Sequence, residues 1–348
     1  MDFSAPAKEM KASSTQSDLI DQFLTWKQEN ENCSARTVRK YRGLLNQLGK
    51  FLDGNFANAE LKILEQFSGG WLHRAGYSAA SRKVAVAAIR GFYSFLAKRR
   101  MVSKNPAQDL VYPRMGRRLP RFMGLKSAEA LLFQPDLSSL SGVRDSAMLA
   151  LLIGCGFRVA GLCGLNESQL IWYQYGEVER LAIRTLEKGE RERLVPVPLE
   201  AMLLVQAYLG HQDLRNVDRL LENGDQVLFV NLRNRHVPEW EHRGELRRLS
   251  TRAVDRMIKR YAIDAGVPED QAHAHAIRHL FGTELAESDS STLQIQALMG
   301  HADPKTSEIY THISMRKMTN VLDKGNPLSK MDTPVTALLN EFKKGKLV

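Results

Sequence analysis

Residues 273–283 read His-Ala-His-Ala-Ile-Arg-His-Leu-Phe-Gly-Thr. His275 and Arg278 stand one helical turn apart, so on a helix both project from one face and can converge on a single phosphate. His279 is also one turn from His275, placed either to join that face or to orient it through a hydrogen bond from behind. Four more positions belong with this stretch: Arg158 in Gly-Phe-Arg-Val-Ala-Gly-Leu, Lys188 before Gly189, His301 after Gly300, and Tyr310. Taken singly each has an ordinary explanation. Arg158 reads as half of a structural ion pair, Lys188 as a solvated turn lysine, His301 as a helix cap and Tyr310 as one of nine tyrosines, most of them packing residues.

Taken together they supply every role that metal-free phosphodiester exchange requires. A phosphodiester is already anionic, and attack puts further charge on its non-bridging oxygens. Arg158 and Arg278 answer that charge with rigid forks of donors that stay protonated at any relevant pH. Tyr310 can attack once a base or a cationic field helps ionise a phenol whose ordinary pKa is about 10. Lys188 can protonate the leaving 5′ oxygen, and His301 can add a hydrogen bond as charge develops. No carboxylate cluster and no His or Cys ligand spacing calls for a metal, and no cofactor is expected.

The 348 residues, 43% hydrophobic, suffice for two ordinary domains. Residues 1–17 are polar and mixed in charge, without the pattern of a signal peptide, and no apolar run reaches the length of a membrane span. Cys33, Cys155 and Cys163 form no even disulfide framework and fit a reducing compartment. The net charge of +10 is unevenly placed: residues 1–118 hold 20 Lys and Arg against 10 Asp and Glu, whereas residues 119–348 hold 29 against 29. A one-sided excess of this size points to a polyanion, with nucleic acid the commonest such partner.

Two amphipathic helices carry much of that excess. After Ser34, apolar Val38, Tyr41, Leu44, Leu45, Leu48 and Phe51 recur at helical spacing, with Arg36, Arg39, Lys40 and Arg42 clustered at the start. From Ser81 to about Leu96, Val84, Ala88, Ile89, Phe92 and Phe95 form a second apolar stripe beside Arg82, Lys83 and Arg90. Such helices suit the backbone of duplex DNA, where each neutralised phosphate releases counterions. Between Met101 and Met123, Pro106, Pro113 and Pro120 alternate with Arg114, Arg117, Arg118 and Arg121, the composition of a basic linker that either follows the DNA or is a solvated hinge. Further on, Arg180–Leu186 and Arg191–Val197 read as a hairpin around Gly189, and Val227–Val230 as one more short strand.

These residues resemble the tyrosine recombinases, or phage integrases, and particularly their Xer-like branch. His275, Arg278 and His279 match the family's His-x-x-Arg-His element. Met299-Gly300-His301 is similar to its Leu-Gly-His, and Ile309-Tyr310-Thr311-His312 to the segment holding its nucleophile. Arg158 and Lys188-Gly189 fall where its first arginine and hairpin lysine belong, and Lys104-Asn105-Pro106-Ala107 resembles the linker of Xer proteins. The resemblance runs from about Asp18 to Leu328.

It implies a mainly α protein: an N-terminal helical core-binding (SAM-like) domain over 18–103 and a basic linker over 104–123. A mainly helical catalytic domain with a small antiparallel β-sheet follows over 124–328, the two domains forming a clamp on DNA. Residues 1–17 would be a flexible N-terminus and 329–348 a tail. It further implies a homo-tetramer on two paired sites in double-stranded DNA, with or without a second recombinase or accessory protein. A 3′-phosphotyrosyl intermediate, a Holliday junction and a cytoplasmic, nucleoid-associated bacterial setting complete the picture. The biological outcome would be integration, excision or resolution of a mobile element or replicon.

The chain also departs from the pattern. Gly161 stands where the family has an acidic residue three positions after the first arginine, so Arg158 needs another brace. That departure leaves open a catalytically weak DNA-binding accessory or regulatory protein of the same fold, and a monomeric type IB topoisomerase shares the chemistry. Residues 211–248 exceed the minimal Xer length, and in the tail Val335, Leu338, Leu339 and Phe342 have a spacing suited to docking on a neighbouring protomer or to fraying.

Overall fold

Ser34 opens the first basic helix by accepting the Thr37 N–H on its side chain (3.2 Å), and Ser78 does the same for Ser81 (3.2 Å). Each satisfies a donor that a helix N-terminus leaves without a partner. In a computed structural model, which describes residues 16–115, 123–186, 192–288, 290–300, 315–337 and 340, the chain divides into two units, Met1–Arg118 and Leu119–Val348.

The first unit is helical: α1 (Gln16–Glu31), α2 (Ala35–Phe51), α3 (Leu61–Glu65), a π turn (Gln66–Trp71), α4 (Leu72–Arg74) and α5 (Ala79–Lys98). The apolar stripes of α2 and α5 meet that of α1 in a core built on Phe23, Leu45, Leu48, Phe67, Phe92 and Tyr93. Phe23 and Phe92 pack edge to face at 5.5 Å, and buried Tyr93 donates its hydroxyl to Phe56 O (3.2 Å). The opening half of the expected linker belongs to this core: Ala107 and Leu110 are buried, and Arg90 reaches Leu110 O at 3.2 Å.

The second unit is organised by α7 (Leu140–Cys155), a mostly apolar helix buried on nearly all sides, whose buried Arg144 and Asp145 pair at 2.6 Å. Around it lie α6 (Leu125–Leu132), α8 (Val159–Cys163), α9 (Leu199–Gly210), α10 (Thr251–Asp264), α11 (Ala274–Glu287), α12 (Thr292–Met299) and α13 (Met315–Gly325). Strands β1 (Leu170–Tyr175), β2 (Val178–Leu186) and β3 (Glu192–Pro196) form one antiparallel sheet in that order. The β2–β3 pair lies where the hairpin is expected, with Ile183 opposite Val195, whereas β1 had no counterpart in the periodicity. Three side-chain contacts tie this sheet to α13. Tyr173 and Thr319 share a hydroxyl hydrogen bond (3.1 Å), Tyr175 donates to Asn320 (2.8 Å), and buried Arg180 pairs with Asp323 (2.6 Å).

One expectation needs correcting. Val227–Val230 is not a strand but a fully buried connecting segment joined to its neighbours by single bridges at Val227 and Val230. Side chains satisfy its carbonyls instead: Arg219 donates to Val227 O (3.1 Å), Tyr208 to Leu228 O (2.8 Å) and Arg144 to Val230 O (2.7 Å). A buried backbone without a ladder survives only with such donors. At the start of the tail, Leu328 and Val335 are buried in their own unit's core, Lys330 pairs with Glu284 at 2.5 Å, and the Asp332 N–H donates to Glu129 (2.9 Å). Leu338, Leu339 and Phe342 lie outside the described residues. No helix among the described residues is long and apolar enough to cross a membrane.

Candidate active site

Helix α11 begins where His273 accepts the Ala276 N–H on its ring Nδ1 (3.0 Å), which fixes the rotation of the following turns. One turn on, Arg278 points into the protein and is buried, whereas His275 remains exposed at the surface. His279 is half-buried, and its ring meets that of His275 edge to face at 4.5 Å. The shared helical face is therefore graded in depth: guanidinium at the floor, imidazole at the rim.

Arg278 donates to two carbonyls, Gly156 O at the end of α7 and Met299 O at the end of α12. Both carbonyls sit at the negative pole of a helix, where a cation is stabilised. Gly156 ends α7 in the left-handed region (φ 60°), and a Cβ there would fall 2.2 Å from the Phe281 ring, so glycine is required for both backbone and packing. Arg158, two residues beyond, precedes α8 and donates Nη2 to Gly300 O (2.8 Å). Arg158 and Arg278, 120 positions apart in the chain, thus end on consecutive carbonyls, Gly300 and Met299.

This answers the question raised by Gly161. A Cβ at Gly161 would meet open space, and among the described residues the Gly300 carbonyl braces Arg158. Partial desolvation, then the neighbouring His279, His273, Arg278 and Arg158 in that order, hold the His275 imidazole below its ordinary pKa. The shift favours the neutral form, which can accept a proton. The result is a cationic floor with a neutral imidazole at its rim, an arrangement suited to an oxyanion that gains charge during reaction.

The structure brings together Arg158, His275, Arg278 and His279. Lys188, His301 and Tyr310 lie outside the described residues, as do Arg117 and Arg118. In the first unit Arg36, Arg39, Lys40, Lys83 and Arg114 are exposed. Arg42, Arg82 and Arg90 are instead engaged internally: Arg42 pairs with Asp21, Arg82 reaches Gly69 O (3.5 Å), and Arg90 holds Leu110 O while its guanidinium lies 5.4 Å from the Tyr112 ring. Their charge still faces outward in part, but their geometry serves the fold. Gly156 escaped the sequence reading although a glycine directly after an apolar helix is the ordinary signal of a C-cap. Among the described residues no group of three or more His, Cys, Asp or Glu could hold a metal ion.

Comparison with known proteins agrees with this architecture. The chain matches the Phage integrase family over residues 121–317 and the Phage integrase N-terminal SAM-like domain over residues 20–100. It belongs to the phage integrase family, the tyrosine recombinases. Within that family it is similar to Xer recombinases. It is 31% identical over 319 residues to the tyrosine recombinase XerC of Thermodesulfovibrio yellowstonii, covering 90% of this chain and 97% of that protein. It is 28% identical over 304 residues to XerD of Proteus mirabilis, covering 86% and 90%. The fold is shared with a XerH recombinase in a post-cleavage complex with a palindromic difH substrate (TM-score 0.64, 18% identity, 91% and 98% covered). A lambda integrase dimer bound to a COC′ core site is also similar (TM-score 0.59, 13% identity, 86% and 99% covered).

Proposed function

We propose that this chain is a site-specific recombinase that cuts and rejoins duplex DNA by two successive transesterifications, with Tyr310 as nucleophile. The Tyr310 oxygen attacks the scissile phosphorus as its proton passes to a base, for which neutral His275 is suited. The bond to the 5′ oxygen breaks, Lys188 protonates that oxygen, and a 3′-phosphotyrosyl ester and a free 5′ hydroxyl remain. Arg158, Arg278 and His301 bind the non-bridging oxygens as they gain charge, and His279 supports His275. Attack by the 5′ hydroxyl of a partner duplex then reverses the chemistry. The ester keeps the energy of the broken bond, so exchange proceeds without ATP through a Holliday junction. A tetramer on two paired sites carries out the exchange, in integration, excision or resolution of a mobile element or replicon. The observation that carries this reading is the convergence of Arg158 and Arg278 on adjacent carbonyls, with His275 one helical turn from Arg278.

A nicked suicide substrate tests it. On a site selected by binding, from inverted repeats beside the coding region or from a random pool, the wild-type chain is expected to accumulate a covalent complex that survives detergent and maps to Tyr310. No trapping on a tightly bound site would overturn the proposal.

Binding should weaken steeply with salt, by roughly one decade in affinity per decade of salt for each phosphate neutralised. The exposed cations Arg39 and Lys40 are positioned to take such phosphates. Replacing both by alanine is expected to lower the logarithmic salt slope by about 2, as measured by fluorescence anisotropy. Arg42→Ala, which frees a residue already paired with Asp21, should change the slope less.

The depressed His275 sets the pH dependence. The neutral form prevails above the ordinary value of 6.5 and is lost only as pH falls below it. At subsaturating DNA, the acid limb of cleavage should therefore be centred below 6.5. His275→Gln should remove this acid limb; a limb centred above 6.5 would contradict the assignment.

A further inference from the structure

Helix α12 has no basic residue in its own last turn, yet four consecutive carbonyls at its end are each held by an arginine from elsewhere. Gly300 O accepts from Arg158 and Met299 O from Arg278. The other two, Ala297 O (2.7 Å) and Leu298 O (3.2 Å), both accept from Nη1 of a single side chain, Arg193. Arg193 is half-buried on β3, opposite Thr185 of β2. Neither the spacing of motifs nor the mechanism above gives it a task.

Its position is informative. Residues 297–300 lead directly into His301, and Arg193 is five residues after Lys188 in the segment that returns from β2. A helix C-terminus concentrates partial negative charge on its last carbonyls, and Arg193 holds two of them with the two N–H groups of one nitrogen, Nη1, whose directions the planar guanidinium fixes. Arg193 thus holds Ala297 O and Leu298 O while Arg278 and Arg158 hold Met299 O and Gly300 O, so three arginines share the end of one helix.

Resting on the proposed function, we infer that Arg193 is a positioning residue: it fastens β3 to the end of α12 so that Lys188 and the two phosphate-binding arginines act against one rigid frame. It does not touch the DNA. Its loss should leave site affinity nearly unchanged while misplacing the proton that Lys188 delivers to the leaving oxygen.

The test compares cleavage of two DNA substrates at saturating concentration, one natural and one with sulfur in place of the bridging 5′ oxygen at the scissile phosphate. A thiolate leaves without being protonated, so the sulfur substrate dispenses with the general acid. Arg193→Ala is expected to bind the site within about twofold of wild type and to cut the natural substrate ten- to a hundredfold more slowly. On the sulfur substrate it should recover to within a few-fold of wild type, in parallel with Lys188→Ala. Arg193→Lys, which keeps the charge but loses the rigid plane that fixes the direction of its donors, should fall between wild type and alanine on the natural substrate. It carries the same test should the alanine variant not fold. Undiminished cleavage by Arg193→Ala would overturn the inference. So would a defect that persists on sulfur while Lys188→Ala recovers, which would make the role merely structural. If Lys188→Ala itself does not recover on sulfur, the general-acid assignment fails, and this inference with it.

Discussion

Tyr310→Phe is expected to reduce covalent capture and strand exchange to background while leaving site binding within a few-fold of wild type. Phenylalanine keeps the ring and loses only the oxygen that forms the ester bond. Since the cations of the first unit and the arginines of the second are untouched, electrophoretic retardation of the site should persist. Detergent-resistant complexes on a nicked substrate should disappear. The same variant separates an enzyme from a DNA-binding accessory protein of the same fold: full recombination in cells carrying only Tyr310→Phe would favour the accessory role.

The second large effect concerns Arg278, and here the structure divides two residues that motif spacing treats alike. Arg158→Ala and Arg278→Ala should each slow cleavage by roughly a hundredfold or more, the usual cost of removing one preorganised donor from an oxyanion. Arg158 is exposed, and its removal frees a single carbonyl. Arg278 is buried and holds Gly156 O and Met299 O at the ends of α7 and α12. Leaving buried carbonyls without donors costs about 1–3 kcal/mol apiece, so Arg278→Ala should also lower stability by several kcal/mol. Arg158→Ala should lower it little. Thermal denaturation without DNA, set beside cleavage at saturating DNA, distinguishes the two. Equal melting temperatures for the variants would show that Arg278 does not support the helix ends. Arg278→Lys should recover little of either property, since an ammonium cannot reproduce a planar fork that bridges two acceptors.

The differing fates of these residues show how far the sequence could be read. That α2 and α5 are helices with one apolar and one basic side follows from spacing alone, because a helical face is defined by neighbours three and four positions away. The turn that separates His275 from Arg278 is likewise local. Resemblance to the tyrosine recombinases supplied what periodicity lacks, the order of the remaining groups and the small sheet. The apolar run at Val227–Val230 shows the limit of such reading, since its strand-like composition records deep burial while three of its carbonyls are held by side chains from elsewhere in the chain.

Chain order and composition thus specified the two-part helical architecture, the clustering of positive charge in the first 118 residues and the inventory of reactive groups. Which carbonyl each guanidinium grips was settled by packing: Arg158 finds Gly300 across 142 positions, Arg278 finds Gly156 across 122, and Arg193 finds Ala297 across 104. The division follows from range. A helical face repeats every few residues and is written in the adjacent letters, whereas the acceptor of a long side chain depends on how separate helices come to rest against one another, and no spacing records that.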